Sequence, residues 1–191
     1  QIVQILKNNR GMIFTDEFVV REGTVEIEDG KIANIRWGHT SKAEKNKDVI
    51  DASGKYVLPG LVDIHFHGCA GYDFCDATLE SLNNIAAYEK KSGITTICPA
   101  SMTYSEDILT KIVENAVKFR DAHADKDADL KKYSTIRGIN LEGPFLSFAK
   151  RGAQNPKYLM KPDASMLRRL QKKADGLVKL VSIAPEIDGA T

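Results

Sequence analysis

The feature that most constrains the fold of this chain is the alternation of strand and helix patterns after residue 56. Apolar runs typical of buried strands lie at residues 57–65, 94–98, 135–141 and 178–183, and apolar residues with helical spacing lie between them. Strand–helix repetition of this kind predicts parallel strands joined by right-handed crossovers. The sequence therefore predicts an α/β fold with about three and a half β/α units of a (β/α)8 TIM-type barrel.

The first 56 residues follow a different pattern. Residues 25–28 alternate apolar and polar side chains, Asp29 and Gly30 form a dipeptide favoured in two-residue hairpin turns, and residues 31–35 resume the alternation. We therefore expect a small, β-sandwich-like domain over residues 1–56. Residues 57–191 are expected to form the first part of a barrel that is truncated, because the chain ends just past a strand and does not begin with methionine.

The composition narrows the class of protein. The chain has 191 residues, of which 42% are hydrophobic, and a net charge of +1, so it can bury an ordinary core and lacks the basic surface of nucleic-acid-binding proteins. No apolar run is long enough to cross a membrane. The three cysteines, Cys69, Cys75 and Cys98, are odd in number and lack zinc-type spacing. We expect a cytoplasmic protein with reduced thiols and with neither nucleic acid nor membrane as a partner.

Two histidines near the end of the first predicted barrel strand indicate chemistry. Side chains alternate faces along a strand, so His65 and His67 should lie on one face together with Asp63. The opposite face would carry the apolar residues Val62, Ile64 and Phe66. An isolated pair of this kind is often two surface histidines, but this pair lies where parallel α/β folds collect their catalytic groups. The pattern predicts a metal site and hydrolytic chemistry.

A carboxylate closes the third predicted strand. Gly138, Asn140 and Glu142 share one face of that strand, and Gly143 and Pro144 end it. Glu142 should therefore lie at the same end of the barrel as the two histidines. One carboxylate and two imidazoles suit a divalent metal such as zinc or iron. The alternative is a glutamate in solvent at the end of a strand.

These segments together resemble one enzyme family. The chain resembles the N-terminal half of the N-acetylglucosamine-6-phosphate deacetylase family of the amidohydrolase superfamily. The segments that carry the resemblance are EDGKI at 28–32, LPGLVDIHFH at 58–67, GITT at 93–96, LEGPF at 141–145, KRGAQ at 150–154 and APE at 184–186. The histidine-containing segment marks the superfamily, and LEGPF followed by KRGAQ is the specific part.

The resemblance implies a function and roles for particular residues. The implied reaction is metal-dependent hydrolysis of the N-acetyl group of N-acetylglucosamine-6-phosphate, a small amino-sugar phosphate, to glucosamine-6-phosphate and acetate. Glu142, His65 and His67 would hold one or two metals, and Ala153 and Gln154 would contact the sugar. Some relatives carry histidine at the position of Gln154. The catalytic acid/base Asp would lie downstream of this chain, so the fragment alone should be inactive, and the full-length protein would be a homodimer.

Two other functions stay open at this point. The chain could belong to a deacetylase of a related amino-sugar phosphate or to another cyclic amidohydrolase. It could also be a non-catalytic assembly module with structural histidines, since the edge strands of an open half-barrel favour association.

Overall fold

The computed structural model describes residues 3–6, 11–38, 48–124 and 131–190. The chain divides into two compact units, Gln1–Pro59 and Gly60–Thr191, called here the N-terminal and C-terminal units. No helix in the described ranges has the length and apolar character needed to span a bilayer.

The N-terminal unit is built on one sheet of six strands. The strands are β1 (Val3–Leu6), β2 (Met12–Phe14), β3 (Val20–Glu28), β4 (Lys31–Trp37), β5 (Asp48–Val49) and β6 (Tyr56–Val57). The long strand β3 pairs antiparallel with β1, β2 and β4, while β5 pairs parallel with β1 and β6 parallel with β2. Asp29 and Gly30 both have positive φ, at 50° and 73°, as a two-residue turn that matches the strand twist requires. The predicted hairpin is therefore confirmed.

The C-terminal unit alternates strands and helices. Its strands are β7 (Leu61–Asp63), β8 (Gly68–Cys69), β9 (Tyr72–Asp73), β10 (Ile94–Ile97), β11 (Ala100–Ser101), β12 (Thr135–Ile136), β13 (Ile139–Glu142) and β14 (Val178–Ser182). The helices described over their whole length are α1 (Leu79–Lys91), α2 (Glu106–His123) and α3 (Ala164–Lys173), with short 3-10 turns at Phe74–Asp76, Phe148–Lys150 and Pro156–Tyr158. The strands β8 and β9 form an antiparallel pair.

Parallel strands follow one another in chain order in this unit. The strand β10 lies between β7 and β12, and β13 lies between β11 and β14, with every pairing parallel. Pro99 separates β10 from β11, since proline has no amide hydrogen to donate to a ladder. The bonds Ala100 N to Phe66 O and Asn140 N to Pro99 O continue the pairing across the interruption. The predicted α/β class with parallel strands is confirmed.

The predicted helices form, and their starts show why. Thr78 accepts a hydrogen bond from Ser81 N at the start of α1, and Asp163 accepts from Ser165 N and Met166 N at the start of α3. Ser105 precedes α2 but makes no side-chain cap bond there. Caps of this type satisfy backbone amides that a helix end leaves without partners.

The helices pack on the parallel strands to form one core. Buried apolar side chains from α1, α2 and α3 join those of β10, β12 and β13 in a single cluster. Fully buried examples are Leu82, Ile112 and Leu170 from the helices and Ile97 and Leu141 from the strands. This core fixes the strand ends in place.

One predicted strand is wrong in its extent. The predicted run at 57–65 divides into β6, which pairs with β2 in the N-terminal unit, and β7, which pairs with β10 in the C-terminal unit. Pro59 and Gly60 separate them, and a Cβ at Gly60 would lie 2.0 Å from Thr95 Oγ1. The apolar face also differs from expectation, because Val62 and Ile64 are 60% and 56% exposed and only Phe66 packs against the core.

Candidate metal centre

The two histidines lie just beyond the carboxyl end of β7. His65 N donates a hydrogen bond to Asp63 Oδ1 at 3.0 Å, so Asp63 shapes the backbone that leaves the strand. The neighbouring backbone holds the same segment, since Cys98 N donates to Asp63 O and Ala100 N donates to Phe66 O. These bonds fix a stretch of chain that is not itself a regular strand.

The imidazoles of His65 and His67 converge on one carboxylate. His67 Nε2 lies 3.1 Å and His65 Nε2 lies 3.4 Å from Oε2 of Glu142, the last residue of β13. The two rings meet edge to face, with centroids 5.4 Å apart. The structure therefore brings together the three residues that the sequence selected, although they come from separate parallel strands.

The donor set fits a divalent cation. The three candidate ligand atoms lie within 4.8 Å of one another, and across the described residues no other group of three or more such side chains does so. Glu142 Oε2 is buried and has no hydrogen-bond donor. Imidazole lone pairs and a carboxylate oxygen at these distances repel one another unless a proton or a cation lies among them. Two imidazoles and one carboxylate match the ligands of zinc and iron.

His67 is oriented for ligation through Nε2. Its Nδ1 lies 3.1 Å from the carbonyl oxygen of Ala100, and a carbonyl oxygen can only accept a hydrogen bond. The Nδ1 atom therefore carries the ring proton, which leaves Nε2 of the neutral ring with its lone pair directed at Glu142. This use of the second ring nitrogen is common for histidines that bind metals.

The loop after β13 is shaped by Thr103. Thr103 Oγ1 donates to the carbonyl oxygen of Glu142 at 3.1 Å. Gly143 has a φ of 84°, and a Cβ added there would lie 2.1 Å from Thr103 Oγ1. Only glycine accommodates both this backbone conformation and the nearby hydroxyl. The hydroxyl and the glycine together hold Glu142 at the end of its strand.

The two residues expected to contact the sugar have different environments. Ala153 is exposed, whereas Gln154 is buried. Gln154 Oε1 accepts a hydrogen bond from Thr103 N at 2.7 Å, and Gln154 Nε2 lies 3.7 Å from Met102 Sδ. Gln154 thus supports Thr103, which in turn bonds to Glu142. Contact of either residue with a sugar remains a prediction.

The cysteines do not join the group of three. Burial is the largest cause that raises the pKa of Cys75 to about 12, and its sulfur accepts a hydrogen bond from Met102 N. Burial also raises the pKa of Cys69 to about 12, with further contributions from Glu89 and Asp63. Both thiols stay protonated at neutral pH and are poor metal ligands in that form.

Sequence reasoning missed the supporting roles of Asn140 and Thr103. Asn140 Nδ2 lies 3.1 Å from His65 Nδ1 and 3.3 Å from the carbonyl oxygen of Ile64. A period-two reading places Asn140 on the face of Glu142, which is a usable signal. No local pattern indicates Thr103, because its partners lie 39 and 51 residues away in the chain.

Several known proteins are similar to this chain in sequence. No protein-family model matches the chain. It is 31% identical over 176 residues to N-acetylglucosamine-6-phosphate deacetylase from Bacillus subtilis, covering 92% of this chain and 43% of that protein. The deacetylase from Danio rerio is 30% identical over 189 residues, with 96% of this chain and 43% of that protein covered. The chain thus spans less than half the length of these relatives.

Solved structures give the same result. A variant of N-acetyl-D-glucosamine-6-phosphate deacetylase from Mycobacterium smegmatis, in complex with N-acetyl-D-glucosamine-6-phosphate, matches with a TM-score of 0.79 and 29% identity, covering 100% of this chain and 45% of that one. The Pasteurella multocida deacetylase matches in fold with a TM-score of 0.81 at 21% identity. In sequence and in structure, this chain is therefore similar to N-acetylglucosamine-6-phosphate deacetylases over less than half of their length.

Proposed function

We propose that this chain is the first part of a metal-dependent deacetylase that converts N-acetylglucosamine-6-phosphate and water to glucosamine-6-phosphate and acetate. The observation that carries the proposal is the convergence of His65, His67 and Glu142, found in a chain whose relatives are deacetylases of this kind. In this proposal the partner is a small amino-sugar phosphate, and the full-length enzyme is a cytoplasmic homodimer.

The proposed architecture is half of a (β/α)8 barrel. Successive parallel strands with helices between them are the building pattern of such barrels, whose active sites lie at the carboxyl ends of the strands. His65, His67 and Glu142 lie at or just beyond these ends. We propose that residues 57–191 begin the barrel and that residues 1–56 form a separate, sandwich-like β domain.

The proposed metal ligands are His65, His67 and Glu142. Zinc or iron bound there, as one or two ions, would supply Lewis acidity that polarises an amide carbonyl and makes water a better nucleophile. The chain's own contribution is to present two imidazoles and one carboxylate at or just beyond the carboxyl ends of parallel strands. Thr103 holds the backbone of Glu142, and the Ala100 carbonyl fixes the ring of His67.

Proton transfer needs a group that we place outside this chain. Amide hydrolysis requires a base that takes a proton from water and an acid that gives one to the leaving nitrogen. In the proposal, an Asp from the remaining part of the enzyme does both. The exposed loop at Ala153 would contact the sugar, and the buried Gln154 would set the position of that loop through its bond to Thr103.

Metal content tests the proposed site directly. The purified chain should hold about one equivalent of zinc or iron, measured by mass spectrometry of the metals after dialysis. A His65→Ala/His67→Ala variant and a Glu142→Ala variant should lose it. Glu80→Ala, which alters an exposed glutamate on α1, is the matched control and should keep it. Equal metal in all samples, or none in the parent, would contradict the site.

Turnover tests the remainder of the proposal. The chain alone should release no acetate from N-acetylglucosamine-6-phosphate, because it lacks the proposed acid/base Asp. A longer enzyme that contains this chain should release acetate, should prefer this sugar to N-acetylgalactosamine-6-phosphate, and should lose activity with Glu142→Ala. Faster turnover of the galacto isomer would assign the chain to a related sugar phosphate instead.

A further inference from the structure

The second ring nitrogens of the two histidines meet different partners. Nδ1 of His67 has the backbone carbonyl of Ala100, a partner that no substitution at residue 100 removes. Nδ1 of His65 instead has the side-chain amide of Asn140 at 3.1 Å. His65 is also the more exposed of the two, with 49% of its side chain open against 35% for His67. The orientation of the His65 ring therefore depends more on a side chain.

Asn140 is itself firmly placed. It lies in β13, two residues before Glu142, is 5% exposed, and bonds through its backbone amide to Pro99 O. Its Nδ2 also lies within hydrogen-bond distance of the Ile64 carbonyl, next to His65 in the chain. A rigid strand thus carries both a proposed ligand and the side chain that contacts a second ligand.

The amide of Asn140 has a hydrogen-bond acceptor that is not used. Its Oδ1 is buried and has no hydrogen-bond partner. A buried polar atom without a partner is uncommon and calls for an explanation. Ligation through His65 Nε2 requires the ring proton to be on Nδ1, which then needs an acceptor. A half-turn of the amide would exchange Nδ2 and Oδ1, so that Oδ1 could accept a hydrogen bond from Nδ1–H at the cost of the Nδ2 bond to the Ile64 carbonyl.

We propose that Asn140 is a positioning residue for His65: its amide lies against Nδ1 and holds the imidazole with Nε2 directed at Glu142. The inference rests on the proposed metal site. It concerns only His65, since His67 and Glu142 have separate supports in Ala100 and Thr103.

Zinc affinity of the chain tests this role. Asn140→Ala should weaken zinc binding by about 10–100-fold, the usual effect of removing a residue that orients a ligand. Asn140→Asp has nearly the same shape, and its carboxylate can accept a hydrogen bond from Nδ1–H, so it should bind zinc at least as tightly as the parent. Asn115→Ala is the matched control, because Asn115 is also a buried asparagine whose amide donates to a carbonyl, that of Thr78; it should leave zinc affinity unchanged.

Testing Asn140→Ala in a chain that already carries His65→Ala distinguishes a positioning role from a general loss of structure. In a His65→Ala chain, adding Asn140→Ala should cause no further loss of zinc affinity if Asn140 acts through His65. Nitrogen NMR of the imidazole should show His65 moving toward the Nδ1-protonated tautomer in Asn140→Asp and losing a defined tautomer in Asn140→Ala. Helical circular dichroism confirms that each variant is folded.

The outcomes distinguish the two proposals. Parent zinc binding that is lost in His65→Ala/His67→Ala but unchanged in Asn140→Ala would overturn the role of Asn140 and leave the metal site intact. Equal losses from Asn140→Ala with and without His65 would also overturn it. Absence of zinc binding by the parent would overturn the metal site, and the positioning role with it.

Discussion

The two units of this chain bury apolar surface to different extents. In the described part of the N-terminal unit the buried apolar side chains are Ile13, Val25 and Ala52, and large apolar residues such as Phe18 and Ile32 are 83% and 66% exposed. The described part of the C-terminal unit has one continuous core to which α1, α2 and α3 contribute. An antiparallel sheet can leave one face open, whereas helices packed on parallel strands cover theirs. The unit with the continuous apolar core is therefore also the unit that contains the candidate metal centre.

The candidate site follows the same division. Within the described ranges, the one group of side chains able to hold a metal lies in the C-terminal unit. Its members sit at strand ends that the helical layer holds in place. We expect local stability and site geometry to be coupled in the C-terminal unit, and the following substitutions test that expectation.

The largest contrast is expected between two isoleucines. Ile112→Ala on α2 removes a fully buried side chain and should lower the free energy of unfolding by about 2–5 kcal/mol. Ile32→Ala on β4 removes an exposed one and should cost less than about 1 kcal/mol. Urea unfolding should be followed by helical circular dichroism for the C-terminal unit and by Trp37 fluorescence for the N-terminal unit. A similar decrease in the free energy of unfolding for both variants would contradict the exposed position of the Ile32 side chain.

A smaller contrast is expected between two glycines. Gly143 and Gly30 have similar φ values of 84° and 73°, but a Cβ at Gly143 would meet Thr103 Oγ1 whereas nothing lies within 4 Å of one at Gly30. Alanine in this conformation costs about 1–2 kcal/mol at either position. Gly143→Ala should cost about 1–3 kcal/mol more because of the clash, and should weaken zinc binding by displacing Glu142. Urea unfolding measures the free energy of unfolding of both variants. Equal decreases for Gly143→Ala and Gly30→Ala would show that contact with Thr103 does not constrain the loop at Gly143.

The smallest effect concerns pH and the half-buried thiol of Cys75. Burial raises its pKa from the ordinary 9.0 to about 12. As pH rises above 9.0, the unfolded chain loses this proton before the folded chain does, so the thiol's contribution to stability declines between these two values. Urea midpoints measured from pH 8 upward should fall, and less steeply in Cys75→Ala. Rapid alkylation of Cys75 by iodoacetamide at pH 8 would contradict this environment.

Local patterns were sufficient for much of the fold. The alternation of apolar runs predicted the parallel strands, and apolar residues with helical spacing predicted the helices between them. The predicted strand at 57–65 failed at Pro59 and Gly60, where the chain passes from one unit to the other. Periodicity does not report which unit a strand pairs with, because pairing depends on residues far away in the sequence.

The candidate site was also predicted from the sequence only in part. The sequence selected His65, His67 and Glu142, and the structure brings their ligand atoms together, while their role as metal ligands stays a prediction. The alternation of faces along a strand does not explain why the histidines converge, since both lie past the end of β7 rather than on it. Backbone bonds from the neighbouring strand direct them instead.

The sequence by itself determined the α/β class, the alternation of strands and helices and the residue types that can bind a metal. These depend on hydrophobic period and side-chain chemistry, both of which are local properties. Only the tertiary structure decided that Asn140 contacts His65, that Thr103 and Gln154 support Glu142, and that Val62 and Ile64 stay exposed. These contacts join residues up to 75 positions apart, and such distances are set by packing of the whole unit rather than by any nearby pattern.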